Sequence, residues 1–252
     1  MTRAMILAAG LGSRLRPLTE QIPKPLLDVA GRPLIAYPLL LVRSAGITEV
    51  LINLHYLGAQ IRTALGDGSD YGVRITYSEE DPILDTGGAI KNAESFLRGD
   101  TFVILNADTI VDLDLPAMLA YHHGRGGIGT MLLRADPEVT RYGAIEVDAD
   151  DRVRRFLGFP AAAAEPLTPL MYGGVWVFEP RLFDYLDAGV FSITKHSGPA
   201  LLRSGEALYG YRYTGYWRVL DTPAGLVAGR HDMLSTRLRF LDAGWNSGNP
   251  RP

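Results

Sequence analysis

The sequence predicts an α/β fold in which a mostly parallel sheet carries helices on both faces. Three observations predict it. Apolar, β-branched runs alternate with helix-compatible stretches through the first half, at the spacing of strand–helix–strand units. One of those runs, Phe102-Val103-Ile104-Leu105, is apolar throughout, as a strand covered on both faces must be. The first run is followed at once by small residues and glycines, the composition of a tight turn.

A strand over 4–7 opens the chain, and the glycine-rich turn follows it. Residues 34–44 are apolar enough for a buried helix, stopped by Gly46. A β-branched strand over 49–54 leads to a short helix over 57–65, ended by Gly66. Strands over 73–77 and 101–105 flank a helix over 88–97. The second half is more mixed. Short strands are predicted over 129–133, 143–147 and 153–156, a buried strand over 175–178, and helices over 181–186 and 197–204. Residues 208–216 alternate loosely. A terminal helix over 222–241 is opened by Pro223, whose fixed φ and missing N–H suit a first turn. The Ala/Pro stretch over 160–169 reads as a surface loop, and the polar tail over 246–252 as frayed. No internal repeat or linker divides the chain, so one domain over 1–245 is expected.

Composition narrows the function. The chain has 252 residues, 47% hydrophobic and 21% charged, the balance of an ordinary globular protein with ample core. Lys plus Arg is 25 and Asp plus Glu 28, a formal charge of −3 that gives no support for nucleic-acid binding. The absence of cysteine excludes disulfides, thiol catalysis, zinc ribbons and iron–sulfur clusters. No apolar run approaches the ~18–20 residues of a membrane span, and the start has no signal-peptide pattern. A cytoplasmic protein without a membrane partner is expected, its oligomeric state left open.

Leu7-Ala8-Ala9-Gly10-Leu11-Gly12-Ser13-Arg14-Leu15-Arg16 is the most informative segment. Small residues let the backbone approach a ligand, and successive amides there can cradle an anion. A dinucleotide-binding turn would want a further glycine where Leu15 stands, and the lysine of a Walker loop is missing. On the glycines alone, a plain strand-to-helix turn explains the segment equally well. The cations that follow tip the balance. Arg14 comes just after the cradle, and Lys24 is held in Pro23-Lys24-Pro25, where the flanking rings stiffen the backbone. An Arg fork and a Lys point charge beside an amide cradle suit a polyphosphate. Arg16 reads as a solvated charge. The histidines show no metal or nucleophile spacing, His122-His123 reads as a solvated pair at a helix end, and no Gly-x-Ser-x-Gly elbow is present.

These segments are followed in order by Leu84-Asp85-Thr86-Gly87-Gly88-Ala89, Leu105-Asn106-Ala107-Asp108, Tyr142-Gly143, Tyr216-Trp217 and Thr222-Pro223. The ordered set resembles the signature of the sugar-1-phosphate nucleotidyltransferases, also called nucleotide-sugar pyrophosphorylases. The resemblance spans most of the chain. It implies a Rossmann-like mixed sheet, a nucleotide-binding part over about 1–115 and a sugar-binding part over about 116–245. The implied reaction is a Mg²⁺-dependent transfer of a nucleotidyl group from an NTP to a sugar 1-phosphate, with release of pyrophosphate. Family members with a second activity append a long hexapeptide-repeat helix; this chain shows none, so acetyltransferase activity is not expected. The implied roles are these: the amides of Ala9, Gly10, Leu11, Gly12 and Ser13 hold the triphosphate with Arg14, and Lys24 neutralises the reacting phosphates. Tyr142, Gly143 and Gly174 shape the sugar pocket.

The residues themselves agree with that chemistry. The attacking oxygen belongs to a phosphate, already ionised at neutral pH, so positioning and charge neutralisation suffice and no general base is needed. Asp108 follows a buried run at a strand's carboxyl end, where ligands bind in open α/β sheets, and a carboxylate there suits Mg²⁺. Asp112 and Asp114 are placed to cap the following segment or to face solvent. Gly87 and Gly88 would let the backbone pack against the nucleoside base, or would simply make a turn. Asp81, before Pro82, can accept from both N–H donors of guanine, whereas uracil offers one. GTP with a mannose- or heptose-type 1-phosphate therefore leads, and UTP follows.

Two departures from the family pattern matter. Many members carry Glu-Lys-Pro after a Phe-x motif, and that lysine holds the sugar phosphate. Here the stretch is Phe156-Leu157-Gly158-Phe159-Pro160, so Lys195 or Arg218 is expected to supply the cation. The family form Trp-x-Asp-x-Gly-Thr-Pro supplies a second metal carboxylate. In Trp217-Arg218-Val219-Leu220-Asp221-Thr222-Pro223, Val219 stands at that position and Asp221 at the glycine. Asp221 is expected within reach of Asp108 as the second Mg²⁺ ligand; the alternative is a cap on the helix that Pro223 opens. The alternative function is a non-catalytic nucleotide-sugar sensor with a degenerate metal site. An NAD-binding protein is a distant third that Leu15 disfavours.

Overall fold

The structure is a computed structural model that describes residues 1–160 and 166–241, with residues 141 and 142 described by their backbone alone. The expected tail over 246–252 and the middle of the Ala/Pro loop lie outside the described residues. Along the chain the elements are β1 (Arg3–Leu7), β2 (Asp28–Val29), β3 (Arg32–Pro33), α1 (Ala36–Ser44), β4 (Glu49–Leu54), α2 (Gly58–Leu65), β5 (Arg74–Glu79), α3 (Asp85–Asn92) and α4 (Glu94–Leu97). There follow β6 (Phe102–Asn106), β7 (Thr109–Val111), α5 (Leu115–Arg125), β8 (Gly129–Arg134), α6 (Val139–Tyr142), β9 (Ile145–Val147), β10 (Val153–Phe156), β11 (Thr168–Phe178), α7 (Gly198–Arg203), β12 (Leu208–Arg212), β13 (Trp217–Val219) and α8 (Pro223–Asp232). No helix among the described residues is long and apolar enough to cross a membrane.

These elements form two units. The first comprises Arg3–Ile83, Leu105–Leu115 and residues 215–241; the second comprises Met1–Thr2, Leu84–Ile104 and Pro116–Thr214. Neither is one continuous stretch.

In the first unit β1, β4 and β5 are parallel neighbours, in register from Ala4 opposite Val50 to Leu7 opposite Asn53, and from Glu49 opposite Arg74 to Leu54 opposite Glu79. Ala4, Met5, Ile6, Val50 and Ile52 are fully buried, so these strands are apolar on both faces. Seven consecutive residues of α1, from Ala36 to Val42, are buried, which fits a helix packed on all sides rather than along one stripe. A short antiparallel ladder sets Val219 of β13 opposite Thr109 of β7. Helix α8 stops at Asp232 instead of running to Leu241. The chain turns back at 234–236 onto the carbonyls of His231 and Asp232; beyond the turn, Asp112 accepts from the Arg239 backbone N–H at 2.8 Å and from its Nε at 3.0 Å, while Leu238 is buried. Asp112 therefore anchors the later chain and is neither a cap nor solvated.

In the second unit β11 is the organising strand. It pairs antiparallel with β8 and β9, β9 pairs antiparallel with β10, and β12 pairs parallel with β8. At 11 residues β11 is far longer than the predicted 175–178, and its register with β8 shifts between Tyr172 and Trp176, where Gly174 has a φ of +85°. That is a bulge at a glycine, which re-aims the strand. The core is aromatic: Trp176 stacks on Phe178 at 4.5 Å between ring centroids, and Phe102 on Phe183 at 5.4 Å. The predicted helix over 88–97 is two helices broken at Ala93, and 181–186 is a 3₁₀ turn. The histidine pair is split: His123 is exposed, as expected, whereas His122 is not solvated. His122 is buried, with Nδ1 at 2.8 Å from Thr130 Oγ1 and Nε2 at 3.0 Å from Glu179 Oε1.

Candidate active site

The first unit brings the loop cations and the candidate carboxylates together. β1 ends at Leu7, and the chain turns through Ala8, Ala9, Gly10, Leu11 and Gly12. The turn is braced from beneath. Ala8 N–H donates to Asn53 Oδ1 at 2.8 Å, and Asn53 Nδ2 donates to Glu80 Oε1 at 2.7 Å. Asn53 and Glu80 are 4% and 5% exposed, so this is a buried polar brace at the carboxyl ends of β4 and β5, not a solvated edge. Gly12 has a φ of +64°, and a Cβ there would lie 2.9 Å from Thr19 Cγ2 and 3.2 Å from Lys24 Cβ. Only glycine meets both demands. The buried Thr19 hydroxyl donates to the Gly12 carbonyl at 2.8 Å and closes the loop. Gly10, by contrast, has open space around it, and Leu11 is exposed, so the middle of the turn faces outward.

Ser13, Arg14 and Leu15 form a 3₁₀ turn in which Leu15 is buried and Arg14 points outward. Pro23 and Pro25 are buried on either side of Lys24, which starts another 3₁₀ turn. Lys24 Nζ donates to Asp108 Oδ2, and the Thr109 hydroxyl donates to Asp108 Oδ1 at 3.2 Å. The Lys24 side chain is only 14% exposed. Arg14, 60% exposed, places Nη1 at 2.6 Å from Asp221 Oδ2. Asp221 is buried, just beyond β13, and the Leu220 N–H donates to the Asp108 carbonyl at 2.8 Å. The backbones that carry Asp108 and Asp221 are thus hydrogen-bonded neighbours. The cap alternative for Asp221 is excluded: Thr222 caps α8, its hydroxyl accepting from Gly225 N–H at 3.1 Å. Arg16 is exposed, and so is Asp81.

The remaining predicted residues belong to the second unit. Gly87 and Gly88 lie in α3, and both their N–H groups donate to the Phe191 carbonyl, at 2.8 and 3.2 Å. A Cβ at Gly87 would fall 2.2 Å from the Phe191 ring, and one at Gly88 would fall 2.0 Å from the Gly189 carbonyl. The close approach that requires glycine is therefore to the chain's own residues 189–191. Gly143 has a φ of +90° and meets Leu157; Gly174 makes the β11 bulge, and Tyr142 ends α6. Of the two cations expected to replace the family lysine, Arg218 is engaged by Asp232 within the first unit. Lys195 is exposed on the turn before α7 and has no ion pair among the described residues. Phe159, which stands where that lysine is expected, has the Arg203 guanidinium over its ring at 5.0 Å.

Sequence reasoning missed Asn53, Glu80 and Thr19. Their only signal was position: Asn53 interrupts an apolar run, Glu80 follows a predicted strand, and Thr19 closes the segment after the glycine turn.

A divalent cation fits the donor set in the first unit. Asp108 and Asp221 supply carboxylates on hydrogen-bonded neighbouring segments, each already matched by one positive charge. Among the described residues no group of three or more His, Asp or Glu side chains could hold an ion alone. Two carboxylates would be enough for Mg²⁺, which takes one or two and completes its shell with water and phosphate oxygens.

Comparison with known proteins gives a consistent result. Residues 3–230 match the family described as nucleotidyl transferase. A mannose-1-phosphate guanylyltransferase of Mycobacterium tuberculosis is 36% identical over 92% of this chain and 64% of its own length. A UTP–glucose-1-phosphate uridylyltransferase of Synechocystis is 32% identical over 85% of this chain and 59% of its own. The chain thus spans about three-fifths of the length of these two relatives. An N-acetylmuramate alpha-1-phosphate uridylyltransferase of Neisseria meningitidis is 38% identical over 87% of this chain and 93% of its own length. HddC from Yersinia pseudotuberculosis, solved with GMP-PN, superposes with a TM-score of 0.75 at 22% identity, covering 92% of this chain and 100% of that one. A Bacillus anthracis protein solved with sucrose gives 0.81 at 22% identity, covering 94% and 97%. These likenesses establish the Rossmann-like α/β fold with its mixed sheet, and the chain belongs to the nucleotidyl transferase family.

Proposed function

We propose that the chain transfers a nucleotidyl group from an NTP to a sugar 1-phosphate, giving an NDP-sugar and pyrophosphate. The observation that carries this reading is the pairing of two loop cations, Arg14 and Lys24, with two carboxylates, Asp108 and Asp221, beside a glycine turn closed by Thr19. A sugar-phosphate oxygen attacks the α-phosphorus, the α–β bridging P–O bond breaks, and its electron pair leaves with pyrophosphate. The amides of Ala9, Gly10, Leu11, Gly12 and Ser13 hold the triphosphate with Arg14, and Lys24 neutralises charge on the reacting phosphates. Asp108 and Asp221 hold Mg²⁺, which supplies further charge neutralisation when bound. Tyr142, Gly143 and Gly174 shape the sugar pocket. Of Lys195 and Arg218, Lys195 is the one that holds the sugar phosphate in place of the family lysine, since Arg218 is engaged by Asp232.

GTP with a mannose- or heptose-type 1-phosphate leads, supported by the guanylyltransferase relative. UTP is the second reading, favoured because a uridylyltransferase is matched over 93% of its length. The test is pyrophosphate release with four NTPs crossed against mannose, heptose, glucose and N-acetylmuramate 1-phosphates. Turnover with one pair is expected, and Asp108→Asn should abolish it. A wild-type protein that binds an NTP but releases no pyrophosphate would establish the sensor alternative.

A further inference from the structure

The two ion pairs at the candidate site are not alike. Lys24 and Asp108 are both largely covered, with side chains 14% and 23% exposed. In the other pair the carboxylate of Asp221 is 6% exposed while the guanidinium of Arg14 is 60% exposed. Asp221 is also the fixed member. It sits between Leu220, tied to the Asp108 carbonyl, and Thr222, tied to the first turn of α8. Arg14 rides on a three-residue turn and reaches toward that carboxylate from solvent.

We propose that Asp221 is an internal anion that occupies Arg14 until a divalent cation takes it, so that nucleotide and metal bind this loop as a coupled pair. The proposal rests on the reading of Arg14 as a phosphate ligand. A guanidinium fork is strongest toward one anion held bidentate, so a phosphate and the Asp221 carboxylate compete for it. A phosphate arriving alone also meets the uncompensated negative charge of a buried carboxylate a few ångströms behind its target, a repulsion that water screens poorly there. A divalent cation at the carboxylates cancels that charge and releases the fork. Because such coupling is reciprocal, bound nucleotide raises metal affinity by the same factor.

The test is isothermal titration calorimetry on wild type and Asp221→Asn, with GTP, UTP and inorganic tripolyphosphate, each in EDTA and in excess Mg²⁺. Asparagine keeps the volume and one acceptor for Arg14 while removing the charge. Asp221→Asn is expected to bind the metal-free anions about two- to tenfold more tightly than wild type, the scale on which partly exposed ion pairs compete. Its gain on adding Mg²⁺ should be smaller than the wild-type gain. In the Arg14→Ala background Asp221→Asn should change metal-free affinity by a different factor than in wild type, because competition for the fork is gone and only the direct repulsion is left; equal factors would deny the coupling of the pair. Metal-free affinity that is unchanged or weakened in Asp221→Asn overturns the proposal, as does wild-type affinity independent of Mg²⁺; the latter needs no variant to fold. Pyrophosphate release by wild type separates the two levels: turnover without coupling removes this inference alone, whereas neither binding nor turnover removes the functional reading too.

Discussion

The two units solve the same packing problem with different side chains. In the first, parallel strands bury Ala, Met, Ile, Val and Leu, and the charged residues gather where the strands end. In the second, an antiparallel arrangement around β11 buries Trp176, Phe102, Phe156, Phe178 and Phe183. Aliphatic strands can be covered on both faces by repeating small contacts, so their loss is spread over many residues. Stacked rings concentrate the same burial in a few positions. The first unit should therefore be sensitive through its charges, and the second through its rings.

The largest effect should come from Trp176, which is 1% exposed and touches Phe156, Phe178 and Tyr172. Trp176→Ala should cost about 3–5 kcal/mol in urea unfolding, the range for truncating a buried aromatic. Its indole N–H has no hydrogen-bond partner among the described residues. Trp176→Phe removes that unsatisfied donor and keeps a ring, so it should cost less than about 1.5 kcal/mol. Equal losses for the two variants would mean that the stacked ring is not what holds this core.

In the first unit Lys24→Ala should lower nucleotidyl transfer by about two orders of magnitude or more, as the loss of transition-state charge stabilisation does. Its thermal midpoint should move little, because Asp108 keeps the Thr109 hydroxyl and some access to water. Arg14→Ala should cost less, about tenfold, since Arg14 is largely exposed and water takes over part of its role. Near-normal turnover in Lys24→Ala would leave that residue only a structural partner of Asp108.

The same contrast explains what the sequence reveals in advance. The strands of the first unit are legible because continuous apolar runs have one good solution, a buried parallel strand. The front of β11 is not, because Pro169 and the glycine pair Gly173-Gly174 look like a break, and only pairing with β9 and β8 makes that stretch a strand. Helix α8 is shorter than its sequence predicts because residues 234–236 turn back onto the carbonyls of His231 and Asp232, and Asp112, far away in sequence, then holds Arg239. Arg14, Lys24 and Asp108 are legible as residue types beside a glycine turn. Their pairing is not, because Lys24 and Asp108 are 84 positions apart. Asn53 and Glu80 escape notice because a polar residue at a strand end usually faces water.

The smallest effect concerns His122, and it follows from a chain of hydrogen bonds. The Glu179 carboxylate can only accept, so His122 Nε2 carries the proton toward it, and Nδ1 accepts from the Thr130 hydroxyl. The Thr101 hydroxyl also donates to Glu179, at 2.9 Å, so His123 Nε2 must donate to Thr101 Oγ1 at 3.2 Å. In this network the neutral imidazole of His122 satisfies both neighbours, and a second ring proton would face the Thr130 oxygen. Burial holds the His122 pKa below its ordinary value; the hydrogen bond to Glu179 opposes that shift without cancelling it. The sign follows from linkage. A histidine whose folded pKa lies below its unfolded value of about 6.5 binds fewer protons folded than unfolded. Its contribution to stability is therefore complete above about pH 6.5 and is lost as the pH falls through the folded pKa. Urea unfolding of wild type should show stability declining as the pH drops below about 6.5. His122→Gln keeps a donor for Glu179 and cannot titrate, so the decline across that window should be shallower in the variant. Equal slopes in the two proteins would assign the acid sensitivity to other groups, and stability rising toward acid in wild type would mean that His122 is charged in the folded state.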